Sequence, residues 1–333
     1  MKLQSTKGIV LIALLWVLAA LSLIAVSFAS TVRLELQVAG AASDAERAYF
    51  FARGAAEAVL YRLAYPDQDR ERQKELFPYA GGMSHYWTVD GDLICHVAIF
   101  DEAGKIDLNA AEEEVLARVL ESAGVQDPLR SEIARKIVEF REPARSSSEA
   151  RVDDGSPHRP FHAVEELLLI PGVTKELLYG HPKRSENGET LEARGLIDLL
   201  TAYSNSKQVN INYAEPEVLA ALPGMSPEAA RSISEARAIE AFDSGSDLSQ
   251  RISGIVSSEG LSALTTQFSG RYCLVATAMV KGSKVRRSVK VVAKPDDTSP
   301  RRLERFVWYD EYWPSAEVLN WIERPQSRDS ISS

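Results

Sequence analysis

MKLQSTKG followed by IVLIALLWVLAALSLIAVSFA, residues 1–29, is the stretch whose reading decides the fold. Lys2 and Lys7 precede Gly8, and the run from Ile9 to Ala29 is 21 residues long without a charge. At about 1.5 Å rise per residue it spans a hydrocarbon core of roughly 30 Å. A secretory signal has an apolar stretch of only about 7–15 residues, so this run is too long for the ordinary kind. The basic residues lie on its N-terminal side, which keeps that end in the cytoplasm and places everything after Arg33 outside. A plain N-terminal anchor accounts for the run by itself. It does not account for the Lys7-Gly8 junction directly before it.

The rest of the chain reads as globular. Of 333 residues, 45% are hydrophobic and 26% charged, enough for two or three units behind the anchor. The net charge of -9 disfavours a nucleic-acid ligand, because phosphate binding draws on excess Lys and Arg. An exported location permits a disulfide between Cys95 and Cys273, which lie in strand-like stretches; two buried free thiols is the other reading.

Helical signals continue beyond the apolar run. Thr31 to Tyr65 contains no Pro, and Tyr49, Phe50, Val59, Leu60 and Leu63 recur at helical spacing until Pro66 ends the pattern. The economical reading is one helix of more than fifty residues, half in lipid. His85 to Val89 and Leu93 to Phe100 then read as strands around an Asp90-Gly91 turn. Arg271 to Val280 and Lys284 to Lys294 read as a second hairpin across Lys281-Gly282-Ser283. The residues between the hairpins read almost wholly helical. The tail from Arg301 to Trp321 is aromatic (Phe306, Trp308, Tyr309, Tyr312, Trp313, Trp321) and is expected to pack on the body or on a partner.

The helical region repeats itself. Ile106-Asp-Leu-Asn109 through Ala117 matches Val209-Asn-Ile-Asn212 through Ala220, and Asp127-Pro128 answers Ser226-Pro227. Ala134-Arg135, Ile137, Glu139 and Arg141 match Ala230-Arg231, Ile233, Glu235 and Arg237. Phe161, Glu166-Leu167 and Ile170-Pro-Gly172 are answered by Phe242, Asp247-Leu248 and Ile252-Ser-Gly254. Asn109 and Asn212 are expected to cap helices, with Glu112 and Glu215 completing capping boxes three residues on. Asp127 and Ser226 are expected to be N-caps followed by proline at the first helical position.

This arrangement resembles the type K minor pseudopilins of type II secretion systems, also called general secretion pathway protein K, over essentially the whole chain. The resemblance implies an α+β fold: a long N-terminal transmembrane helix packed on a small antiparallel, pilin-like sheet, with a large all-α insertion of two helix-hairpin-helix-like subdomains. Its implied divisions are a prepilin leader 1–8, a transmembrane part 9–29 and an outer part 30–66 of the helix. A pilin-like domain follows from 67–104 and 269–297, around an insertion 105–268 with subdomains at about 105–181 and 208–268. A tail, 298–333, completes the chain. Prepilin peptidase would cut after Gly8 and methylate the new N-terminus at Ile9.

Major pseudopilins carry glutamate at the fifth mature position, which here is Ala13. In a helical filament that glutamate pairs with the N-terminal amine of the subunit above. An unpaired carboxylate in lipid costs several kcal/mol. A subunit with nothing above it is suited by Ala13. The resemblance thus implies a tip subunit that starts a periplasmic pseudopilus for protein export. It would be held in the bacterial inner membrane by a single span, with its bulk in the periplasm. The implied partners are the I, J and H type minor pseudopilins, the inner-membrane assembly platform and the peptidase.

Family members can bind calcium in the helical domain. Here the aspartate-rich linker of the family is replaced by Arg145-Ser-Ser-Ser148 through Asp153-Asp154-Gly155. Asp153 and Asp154 are the carboxylates available to calcium, which takes 6–8 oxygens. A solvated loop is the alternative, so no cofactor is required.

Two other classes compete. Val209 to Asn212, Leu222-Pro-Gly224 and Ala230, Ile233 and Arg237 also resemble the helix-hairpin-helix units of membrane-anchored DNA-uptake receptors. There a Gly-x-Gly hairpin offers backbone N–H groups to phosphate, but here Ser226 replaces the second glycine and Glu228 is acidic. In Pro171-Gly172-Val-Thr174, threonine stands at that place. For an enzyme, His85, His96, His158, His162 and His181 show no His-Glu-x-x-His spacing, and no serine lies in a nucleophile elbow. The sequence reads as a structural subunit.

Overall fold

The computed structural model describes residues 7–65, 84–142, 159–180, 182–184, 190–192, 194–296, 299–312, 314 and 322. Its first element, α1 (Lys7–Ala64), is a single helix of 58 residues. From Leu11 the helix is long and apolar enough to cross a membrane, by length and composition. Its distal half buries a stripe at Ala45, Ala48, Ala52, Ala55, Ala56, Val59, Leu60 and Leu63, the i, i+3, i+4 pattern of a helix docked on one face. Most of these residues are small, so the helix backbone lies close to what it covers. A larger side chain at Ala52 would require it to lift away.

What it covers is a five-stranded antiparallel sheet. β1 (Ser84–Asp90) and β2 (Leu93–Asp101) form the first hairpin. A 3-10 turn (Glu102–Gly104) then leads into the helical region. That region begins with β3 (Ile106–Asp107), α2 (Glu113–Ser122) and α3 (Leu129–Arg141). A 3-10 segment (Val164–Leu169) and α4 (Lys175–Tyr179) come next. β4 (Pro182–Arg184), β5 (Thr190–Glu192), α5 (Leu196–Leu199) and β6 (Leu200–Thr201) complete its first half. The second half runs through β7 (Val209–Asn210), α6 (Pro216–Ala221) and α7 (Pro227–Ile239). It ends with α8 (Gly245–Ile252), α9 (Ser258–Ser262) and β8 (Leu264–Thr265). The chain then returns to the sheet as β9 (Tyr272–Val280), β10 (Arg286–Asp296) and β11 (Ser299–Tyr309). The sheet order is β1-β2-β9-β10-β11, so the helical region is inserted between two neighbouring strands, β2 and β9.

Strand alternation sorts the core. Cys95, Val97 and Ile99 of β2, Leu274, Ala276 and Ala278 of β9, and Val289, Val291 and Ala293 of β10 pack on α1. Ala98, Cys273, Val275 and Val292 point to the opposite face, where they meet Tyr203 of the insertion. The insertion has its own core, and it is continuous: Leu116, Ile137 and Phe161 of the first repeat belong to the same cluster as Leu219, Ile233 and Phe242 of the second.

Several local expectations shift. Asp90 pairs with Leu93, so the first hairpin turns on Gly91-Asp92, one residue later than expected, with Gly91 at φ 60. β10 starts at Arg286 rather than Lys284, after a loop of residues 281–285. The first-repeat helix α3 begins at Leu129, with Pro128 at its N-cap and Asp127 accepting from the Ser131 hydroxyl at 2.6 Å. In the second repeat Ser226 caps α7 as expected, accepting from the Ala229 N–H at 3.1 Å with Pro227 following. The tail contributes an edge strand, β11, which the sequence reading lacked. In the register of β11 on β10, Val292 faces Val307 and Ala293 faces Arg305, leaving Phe306 as an extra residue. That bulge breaks the period of two by which a strand is recognised.

Cys95 and Cys273 are free and buried. Cys95 is in register with Ala278, five residues from Cys273 along β9, or about 16 Å at strand rise. Disulfides need Cα atoms within about 7 Å, and these side chains point to opposite faces of the sheet. Burial pushes both thiols up, Cys273 to about 12.

Candidate assembly interface

The candidate site is a surface, built from the two features that set this chain apart: the partly naked helix and the duplicated insertion. Along α1, apolar side chains from Leu11 to Val38 are exposed, Trp16 at 73%. No acidic residue precedes Glu35, so the apolar half has no carboxylate to neutralise. Gly8 and Ile9 lie in the first turns of α1, and Ala13 is exposed on it among apolar neighbours.

Beyond the apolar half, the face of α1 turned away from the sheet carries its own pattern. Leu36, Gly40, Ser43, Arg47, Phe50, Gly54, Glu57 and Tyr61 are all exposed and alternate at four- and three-residue steps, the spacing of a helix–helix seam. Phe50 is 65% and Tyr61 55% exposed, while nothing lies within 4 Å of where a Cβ on Gly40 or Gly54 would be. The two charged members lean aside to the sheet: Arg47 pairs with Asp92, and Glu57 with Arg305 at 2.6 Å. The Tyr49 hydroxyl donates to Asp310 at 2.6 Å, and Arg62 stacks over Tyr86 at 4.8 Å. In the sequence the seam is a 4-3 repeat in which small and apolar residues predominate, offset from the docked stripe on the other side of the helix.

The insertion's two halves share one device. Asn109 and Asn212 do not cap helices; Glu112 and Glu215 stand at the N-cap positions of α2 and α6, without side-chain caps. Instead each asparagine clamps a distant phenylalanine backbone with both ends of its amide. Asn109 donates to the Phe161 carbonyl at 2.9 Å and accepts from the Phe161 N–H at 2.7 Å. Asn212 does the same to Phe242, at 2.9 Å for both bonds. Arg141 donates to the carbonyls of Leu108 and Ala111, and Arg237 to those of Ile211 and Ala214. Glu166 accepts from the His162 N–H at 3.0 Å, and Asp247 from the Asp243 N–H at 3.2 Å. Each half is closed by a short parallel pair, β3 with β6 and β7 with β8. Arg118 bridges the halves by donating to the Leu222 carbonyl at 3.0 Å.

The glycines of the turns that would meet phosphate in a helix-hairpin-helix are closely packed on their Cβ sides. Gly224 has φ +62, and a Cβ there would sit 2.1 Å from the Ser257 hydroxyl oxygen; one on Gly172 would sit 2.8 Å from Leu129 Cδ1. At the following helix starts, Ser226 and Thr174 already accept from the N–H groups of Ala229 and Leu177. Asp153 and Asp154 lie outside the described residues. Among the described residues there is no group of three His, Cys, Asp or Glu that could hold a metal ion.

Against known proteins, residues 209–269 match the family model described as type II secretion system (T2SS), protein K. That segment is the second repeat, from β7 through the Asn212 clamp to the return into the sheet. No curated protein matches the chain. Among solved structures, the chain is similar to one from the crystal structure of the GspK-GspI-GspJ complex of the enterotoxigenic Escherichia coli type 2 secretion system. That match has 14% identity and a TM-score of 0.48, covering 79% of this chain and 95% of that one. Residues 209–269 thus match the model of protein K of type II secretion systems.

Proposed function

We propose that this chain is a minor pseudopilin of the K type, standing at the tip of a periplasmic pseudopilus and initiating its assembly for protein export. The observation that carries the reading is the family match over 209–269, in an insertion hung from a sheet whose docked helix exposes apolar side chains from Leu11 to Val38. The work is packing rather than catalysis. Residues 9–29 cross the inner membrane with the bulk in the periplasm, and residues 1–8 are the leader, removed after Gly8 with methylation at Ile9. Ala13 leaves no carboxylate seeking a subunit above. The seam from Leu36 to Tyr61 receives the N-terminal helices of the I and J type minor pseudopilins, with the H type and the assembly platform below.

Mass spectrometry of the N-terminus, from cells containing prepilin peptidase, tests the reading. A chain beginning at N-methylated Ile9 is expected. Retention of Lys2 to Gly8, or normal maturation of a variant with a bulky residue at Gly8, would overturn it.

A further inference from the structure

The insertion hangs from the sheet by a narrow neck. Its outgoing and returning strands run side by side there, with the Glu102 N–H donating to the Arg271 carbonyl at 3.0 Å. Two adjacent connections make a hinge by themselves, because rotation about them stretches nothing. What resists rotation must lie away from the neck.

Tyr203 of the insertion meets Ala98, Cys273, Val275 and Val292 of the sheet there, and further contacts come from the end of the chain. Phe306, the bulged residue of β11, stacks on Tyr203 of the insertion with ring centroids 5.1 Å apart. Tyr309 packs against the insertion's core. Just past β11, the Tyr312 N–H donates to the Ser288 carbonyl of β10 at 3.1 Å, while its hydroxyl donates to Asp198 of α5 at 2.8 Å. One residue therefore bonds the sheet with its backbone and the insertion with its side chain. The buried Lys290 ammonium lies 4.8 Å from the centre of the Tyr312 ring and 5.5 Å from that of Tyr309, which fixes both rings from beneath.

We propose that residues Phe306 to Tyr312 form a strap that fastens the insertion to the sheet, with the Tyr312–Asp198 hydrogen bond as its clasp. The strap sets the angle between the insertion and α1, whatever the chain assembles with.

Two measurements on the full chain in detergent test this. In Tyr312→Phe, which keeps the ring and loses only the hydroxyl, amide hydrogen exchange over residues 196–203 is expected to rise about tenfold. Residues 229–237 in α7, remote from the clasp, should be unchanged. In a chain ending at Asp310, the distance distribution between spin labels at positions 58 and 235 should broaden. Unchanged exchange at 196–203 in Tyr312→Phe, or an equal rise throughout the chain, would overturn the strap. An unbroadened distribution in the folded truncated chain would do the same; should truncation prevent folding, the exchange result alone decides.

Discussion

The carboxylate of Asp101, the last residue of β2, accepts a hydrogen bond from the side-chain amide of Asn210 in the second repeat at 2.8 Å. It also accepts from the Ala103 N–H at 3.0 Å, the Ser269 N–H at 2.9 Å and the Ser269 hydroxyl. A buried carboxylate with four donors is fully satisfied, and here it ties the strand that leaves the sheet to the segment that returns. Asp101→Ala would leave these donors unpaired in the interior. We expect a loss of about 3 kcal/mol or more in urea unfolding, with Asp101→Asn intermediate. A loss below about 0.5 kcal/mol would show that the neck does not depend on this residue.

The repeated asparagine clamps make a paired prediction. Asn109→Ala and Asn212→Ala each strand the N–H and carbonyl of a buried phenylalanine, so each should cost about 2–3 kcal/mol. Because both halves share one core, either substitution should lower the unfolding midpoint of the whole insertion rather than melt one half. Two separate transitions in either variant would refute that cooperativity.

Acid should loosen the junction between sheet and insertion. Burial alone raises the pKa of Glu102, but Lys105, 3.2 Å away, and Lys290 hold it below its ordinary 4.5. A carboxylate with a depressed folded pKa adds stability that is present above its unfolded value and lost as pH falls through the folded one. Stability should therefore fall on acidification below about pH 4.5. Glu102→Gln should cost about 3–5 kcal/mol at pH 7 and flatten the acid limb. An acid limb of unchanged slope in that variant would exclude Glu102 as its source.

The seam can be tested apart from stability. Nothing lies within 4 Å of a Cβ at Gly54, and replacing a mid-helix glycine removes a penalty of about 1 kcal/mol. Gly54→Leu should thus fold at least as well as the parent chain. Its added bulk should nevertheless reduce co-purification of the I and J type pseudopilins by about tenfold or more. Undiminished co-purification would remove the seam from the proposed interface.

Much of the molecule was fixed by local pattern. The length of the apolar run, the alanine-rich stripe beyond it, the alternation of β2, β9 and β10 and the two copies of the insertion motif are all properties of near neighbours in the chain. Their periods of 3.6 and 2 follow from backbone geometry. The matching residues of the two copies were visible too, but not their task. Asn109 and Asn212 have the sequence context of helix caps, and only the approach of Phe161 and Phe242, 52 and 30 residues away, turns them into clamps. The same holds for Cys95 and Cys273, whose separation depends on strand register, and for Phe306, whose bulge hid a strand. Asp101, Glu102 and Tyr312 became structural centres because distant segments converge on them. Periodicity determines which face an element buries; which residues meet across those faces is decided by packing, where a charge or amide must find its partner wherever the chain brings one.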